Sequence, residues 1–253
     1  MALPTWIQDA LHSKIKPLKG QYWRCVEAQH IVSTLQLVDS LEDQALLEDI
    51  LEESKPPIPK ECAGLHWLYS TPFRYGLYPN GSRFRKAGRT PGVYYASQHA
   101  RSAIIETAFH ILLFYVDSPE TPFPERPSEH TLFDVPIKTT HAISLMEKPF
   151  IDASDLWMHP NTYGPCQEFE ILARDAGIKV IQYTSVRDPA NLENVAILDC
   201  KAFASKTPSI QKNWKLWFNK NGMHAISDVA NENFSLAPEN FLHDDRFSRF
   251  KWN

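Results

Sequence analysis

Between Cys62 and Ile105 the chain holds six basic residues and not one Asp or Glu. The cations are Arg74, Arg83, Arg85, Lys86, Arg89 and Arg101, interleaved with Tyr75, Tyr78, Phe84, Tyr94 and Tyr95. Guanidinium forks grip phosphate oxygens in pairs, and aromatic faces stack on flat rings. The block therefore suits an anion that carries a planar ring, either a nucleotide or a stretch of nucleic acid. A solvated basic face is the plainer reading, because residues 27–53 carry eight acids and no Lys or Arg to offset them. The first acid after the block is Glu106. Helical spacing puts it at the edge of an apolar arc, beside Leu113 and near His110. A carboxylate there can face a pocket partly stripped of water, or reach outward as a boundary residue.

Other chemistries find no support. There is no GxSxG elbow, P-loop, GxGxxG or HExxH. The ten histidines are scattered without metal-ligand spacing. Cys25, Cys62, Cys166 and Cys200 form neither a CxxC nor a disulfide framework, so they read as reduced core or boundary residues of a cytoplasmic protein. Pairing Cys166 with His110 as nucleophile and base has nothing in the spacing behind it, and Asp244-Asp245 reads as a solvated tail pair.

The elements that must position these groups follow from periodicity. Residues 39–55 predict a helix capped at Asp39 or Ser40, with Leu41, Ala45, Leu47, Ile50 and Leu51 as its apolar stripe. Pro56 and Pro57 end it. Gly92-Val-Tyr-Tyr-Ala-Ser97 reads as a strand that runs into a helix over Gln98–Tyr115, with Ser97 as N-cap. Strands are expected at 131–137, 141–145, 178–184 and 195–199, and a short strand or helix start within 22–32. Helices are expected at Tyr163–Ala176 and Lys212–Lys220. Helices and strands mix without regular βαβ alternation, so the class is α+β.

With 253 residues, 43% of them hydrophobic and 22% charged, the chain can bury one sizeable core. Nineteen prolines against nine glycines favour rigid loops over flexible linkers, hence a single compact domain. A net charge of −4 argues against non-specific binding of the whole molecule to nucleic acid or anionic membrane. No 18-residue apolar run and no N-terminal signal-peptide pattern is present.

Particular stretches carry a resemblance. They are Tyr22-Trp-Arg24-Cys-Val-Glu-Ala-Gln29, Thr71-Pro-Phe-Arg-Tyr75, Gly81-Ser-Arg-Phe-Arg85, Gly92-Val-Tyr-Tyr-Ala-Ser97 with the following Ala103 and Glu106, and Ile178-Lys-Val-Ile-Gln-Tyr-Thr-Ser-Val-Arg-Asp188. Each is weak alone, but five in this order resemble the RES-domain family over roughly residues 20–200. Members are commonly the toxin halves of bacterial toxin–antitoxin pairs.

The resemblance implies a fold similar to that of ADP-ribosyltransferases and an enzyme that consumes NAD+, as a glycohydrolase, a phosphorylase or an ADP-ribosyltransferase. It implies Glu106, Arg24 and Ser185 as catalytic residues. Arg83 and Tyr95 are implied as substrate-binding residues, and the basic block adds Arg85 and Arg74 to them. No metal or redox cofactor is implied, because NAD+ is the substrate. The partners implied are a helix-turn-helix (Xre-like) antitoxin and a protein acceptor of ADP-ribose. The chain departs from the family in reading Gly81-Ser82-Arg83-Phe84 where short members have Gly-Gly-Arg-Trp. It also departs by a helical insertion at about 39–70, and it runs on in a C-terminal extension over 201–253. The rival reading is a non-catalytic module that holds RNA or single-stranded DNA on the Arg/aromatic block 74–101. Glu106 discriminates, since a carboxylate at the centre of a groove repels phosphate.

Overall fold

A computed structural model of the protein describes residues 3–28, 37–76, 79–229 and 231–252. The helices are α1 (Trp6–Ser13), α2 (Leu41–Ser54), α3 (Trp67–Arg74), α4 (Ala100–Asp117), α5 (Ser154–Trp157) and α6 (Gly164–Asp175). The strands are β1 (Lys16–Glu27), β2 (Tyr94–Ser97), β3 (Ser128–Ser144), β4 (Val180–Thr184), β5 (Glu193–Ile197), β6 (Gln211–Asn219), β7 (Gly222–Ser227) and β8 (Phe234–Leu236).

The eight strands among the described residues join one sheet in the order β1-β2-β5-β4-β3-β6-β7-β8, and β1 also pairs with β3. That extra pairing closes β1, β2, β5, β4 and β3 into a ring, from which β6, β7 and β8 extend. Closure removes exposed edges from the ring. Among the described strands only β3 and β4 run parallel; every other pair is antiparallel. The expected α+β class and single compact body hold.

Alternation along the strands builds the core. In β2, Tyr94 points into a cluster with Tyr69, Phe73, Val195 and Ile197. The next residue, Tyr95, points the other way, toward the cluster that contains Phe84, Phe169, Ile181 and Tyr183. A third cluster joins α4, through Ile104, Ile105, Ala108, Phe109 and Leu112, to Trp214, Leu216 and Phe218 of β6 and to Phe241 and Phe247.

Several expectations need correction. Lys212–Lys220 is a strand, not a helix: Trp214, Leu216 and Phe218 are buried while Lys215 and Trp217 face out, a period of two. The two strands expected at 131–137 and 141–145 are one, β3, long enough to serve β1, β6 and β4 along its length. Ser97 lies inside β2, and His99 takes the N-cap position of α4 without a side-chain bond. Ser40 does cap α2, accepting from the Asp43 N–H at 3.0 Å. The apolar stripe of α2 does not face the core, however; Leu41 and Ile50 are 76% and 54% exposed. Arg74 ties this helix to the body by pairing with Glu52 at 2.6 Å.

Gly92 sits where β2 begins, and a Cβ there would lie 1.9 Å from the Pro72 carbonyl oxygen at the end of α3. Backbone cannot yield as a side-chain tip can. Gly92→Ala is expected to lower the free energy of unfolding by about 1–3 kcal/mol, the usual range for overpacking, read as a lower urea midpoint.

Candidate functional site

The site is built around α4. Ser102 and Glu106 lie four residues apart and so share one face of the helix. Ser102 Oγ donates to the Asp188 carboxylate. That bond docks the β4–β5 loop against the helix directly beside Glu106. The loop is folded by its own backbone. Ser185 N–H donates to Leu192 O at 2.8 Å, and Asn191, at φ 50°, turns the chain back. Thr107, one residue on, donates through Oγ1 to Cys25 O at 2.9 Å and fastens the helix to β1 beside Arg24.

Glu106 Oε1 accepts from Ser185 Oγ at 2.6 Å and from Asn194 Nδ2 at 2.7 Å. No described residue bonds to Oε2, and the residue lines a cavity of about 520 Å³, within the range of small-molecule sites. Ser185 itself is fully buried behind the carboxylate. Its Oγ donates to Glu106 and accepts from the N–H groups of Arg187 and Asp188 at 3.2 and 3.1 Å. It holds Glu106 in place and is not presented to the cavity.

Four guanidinium groups line the cavity: Arg24, Arg83, Arg187 and Arg246. Arg24 stacks over the Tyr94 ring at 4.5 Å and spends one N–H on Tyr95 O. Among the described residues it pairs with no carboxylate. Arg83 is almost fully buried and donates to the carbonyls of Trp157 and His159 at 2.6 and 3.0 Å. Those carbonyls fix its direction without cancelling its charge. Tyr95 presents its ring to the cavity, while its hydroxyl accepts from Phe84 N–H at 2.9 Å and shares a hydrogen bond with Ser82 Oγ. The tyrosine thus pins the turn that carries Arg83. Burial pushes the Tyr95 phenol up to about 12 and that of Tyr183 well above its ordinary value, so both stay neutral.

Of the residues singled out in the sequence, Arg24, Arg83, Tyr95 and Glu106 meet around one cavity, with Ser185 directly behind Glu106. Two do not join them. Arg74 serves the acidic helix, through Glu52 and the Pro56 carbonyl. Arg85 donates to the carbonyls of Tyr75 and Gly76 and shapes their loop. The basic block is thereby split between cavity and scaffold and is not one continuous stripe.

The remaining wall escaped sequence reasoning. Asn194 has no distinctive spacing; it is placed by the β2–β5 register, opposite Ser97. Arg187, the residue before last in the final family-like stretch, carries no spacing signal of its own. Asp244 is not a solvated tail residue: it is 0% exposed and pairs with both Arg187 and Arg246. Cys166 is buried beneath the site, its thiol donating to the carbonyls of Leu156 and Trp157, so no Cys166–His110 pair faces the cavity. All four cysteines are buried and free. No group of three or more metal-ligating side chains occurs among the described residues, and no described helix is long and apolar enough to cross a membrane.

Fold and site together define an α+β protein with an arginine-lined cavity and one oriented carboxylate. Residues 58–219 match the RES domain, and the chain belongs to that family. A chain of the M. tuberculosis MbcT-MbcA toxin–antitoxin complex aligns over 85% of this chain and 94% of its own, with a TM-score of 0.49 and 11% identity. No curated protein matches the chain.

His110 projects into the cavity one turn beyond Glu106. Crowding by the cavity wall lowers its pKa even though the side chain stays open to solvent, Glu106 opposes that, and the charges of Arg187, Arg246 and Arg24 lower it further. The folded state thus prefers the neutral ring. Below about pH 6.5 the unfolded chain takes up a proton that the folded ring resists, so stability is fullest above that pH and declines as pH falls. His130, lowered by burial, acts in the same direction. His110→Asn is expected to flatten the loss of unfolding free energy between about pH 7 and 5.5. In the parent, the His110 ring resonances should titrate below the usual histidine range.

Proposed function

We propose that the protein is an NAD+-consuming enzyme that breaks the bond between nicotinamide and ribose and acts as the toxin of a toxin–antitoxin pair. The observation that carries this reading is the carboxylate of Glu106. One of its oxygens is fixed by Ser185 and Asn194, and the other is open to a cavity ringed by guanidinium groups. A surface that bound RNA or single-stranded DNA would gain nothing from that arrangement. The cavity is also of small-molecule size and does not engage Arg74 or Arg85.

The chemistry asks for such a group. When the ribose C1′–nitrogen bond breaks, its electron pair returns to the pyridinium nitrogen and nicotinamide leaves neutral. Positive charge is left on the sugar. Glu106 Oε2 can accept hydrogen bonds from the ribose hydroxyls and stabilise that charge as it develops, without reorienting during the reaction. Ser185 and Asn194 hold the acceptor still. The Tyr95 ring face can pack on nicotinamide, with its hydroxyl already committed to the 82–84 turn. Arg24, free of any carboxylate partner among the described residues, supplies a fork for the pyrophosphate, and Arg83 adds charge.

Four guanidinium groups and one carboxylate, Glu106, line the cavity, so the lining is net positive and complements the negative charge of a pyrophosphate. A helix-turn-helix antitoxin that covers the cavity is the partner this reading implies, in the cytoplasm where NAD+ is available.

Glu106→Gln is expected to cut NAD+ loss by a factor of about 10²–10³, the range for losing an oriented transition-state contact, with the melting temperature unchanged. Turnover at the parental rate would refute the assignment. Incubation with NAD+, with and without inorganic phosphate, followed by mass spectrometry, separates the branches. Free ADP-ribose indicates hydrolysis, ADP-ribose 1″-phosphate indicates phosphorolysis, and a mass adduct on protein indicates transfer.

A further inference from the structure

We infer that the segment 238–250, which lies beyond the stretch matched to the family, builds a phosphate subsite into the cavity wall. In it, Arg246 contacts the ligand and Asp244 is its positioning residue. The inference rests on the reading of the cavity as a nucleotide site and extends it to a residue outside the family's matched region.

The anchoring comes first. Phe247 packs edge-on against Phe109 of α4 with ring centres 5.2 Å apart, and Phe241 and Phe247 are both fully buried. His243 Nε2 is hydrogen-bonded to Val186 O at 2.8 Å. The segment is therefore seated on the helix that carries Glu106 and on the loop that carries Ser185. It is part of the site's own scaffold.

The charge arrangement follows from that seat. Asp244 Oδ1 accepts from Arg246 Nε at 2.8 Å, and Oδ2 accepts from Arg246 Nη2 at 2.7 Å. Arg187 Nη1 reaches the same Oδ2 at 3.4 Å. Burial alone would raise the Asp244 pKa, but these hydrogen bonds and charges hold it below its ordinary value. One carboxylate thus serves two guanidinium groups, and one positive charge stays uncompensated.

Geometry says where that charge is offered. Arg187 is buried, with Nη2 donating to Pro160 O and Tyr163 Oη and Nη1 to Asp244, so most of its donors are turned into the protein. Arg246 is 30% exposed and lines the cavity. Its Nε–Nη2 edge is locked on Asp244 and the Tyr163 hydroxyl is a further hydrogen-bond partner, which still leaves guanidinium N–H groups for a ligand. A guanidinium held along one edge by a buried carboxylate has lost its rotamer freedom before the ligand arrives. Its other donors are then set for an oxyanion. Phosphate is the oxyanion that a nucleotide site must meet, either as part of the dinucleotide or as a free phosphate that attacks the sugar.

The test is calorimetry on the full chain with two probes, ADP and inorganic phosphate, for the parent, Arg246→Gln and Arg246→Lys. ADP carries a pyrophosphate but no nicotinamide, so binding is read without turnover. Arg246→Gln is expected to weaken one probe about tenfold, with Arg246→Lys falling between. A loss confined to ADP assigns the subsite to the dinucleotide, and a loss confined to phosphate assigns it to the free ion. Unchanged affinity for both, or a parent that binds neither, overturns the inference. Arg246→Gln also takes the close cationic partner from the buried Asp244 and is expected to lower the melting temperature, so affinities are measured well below it, and Arg246→Lys, which keeps the charge, separates a lost ligand contact from lost support of Asp244. If the parent failed to consume NAD+ while the Arg246 effect persisted, the proposed reaction would fall and the subsite would stand.

Discussion

One buried hydroxyl organises the centre of this molecule. Ser185 Oγ gives its only proton to Glu106 and receives two backbone N–H bonds from the turn that follows it. A serine placed this way cannot rotate without breaking three bonds, so the carboxylate it holds cannot wander either. Everything nearby secures that contact. The Ser102–Asp188 bond presses the loop on the helix, the Thr107–Cys25 bond fixes the helix to β1, and the β2–β5 register brings Asn194 to the same oxygen.

The second constraint is electrostatic. Several guanidinium groups near one another repel unless anions or dipoles separate them. The protein uses a different device for each. Arg24 rests on an aromatic face, Arg83 on two carbonyls, and Arg187 and Arg246 on a shared buried carboxylate. The cavity lining stays net positive. Of the basic stretch only Arg83 joins it, because Arg74 and Arg85 are taken up by acceptors on the protein itself.

Much of this was legible in the chain itself. The switch from alternation over Tyr94–Ser97 to helical spacing after it located β2 and α4, and Glu106 stood out as the first acid after 44 residues without one. Family-like stretches brought in Arg24, Arg83 and Tyr95. What stayed hidden depended on contacts distant in sequence. Asn194 is ordinary until a strand register places it, and Asp244 looks solvated until Arg187 arrives from 57 residues away. The period of two in Trp214, Leu216 and Phe218 was readable and was misread, because Lys and Asn at the alternate positions suit a helix face as well as a strand edge. Arg74 and Arg85 show the converse error: residue type pointed to a ligand, while their acceptors lay on the protein.

The walls of the cavity come from Arg24 on β1 and from Arg246, more than two hundred residues later. Joining positions so far apart carries a large loop-closure cost, and contacts of that kind consolidate late in folding. A chain cut short of residue 246 would still contain Glu106 and its supporting serine, yet it would lack one side of the chamber. The cavity is therefore closed on that side only once the C-terminal segment has packed on α4.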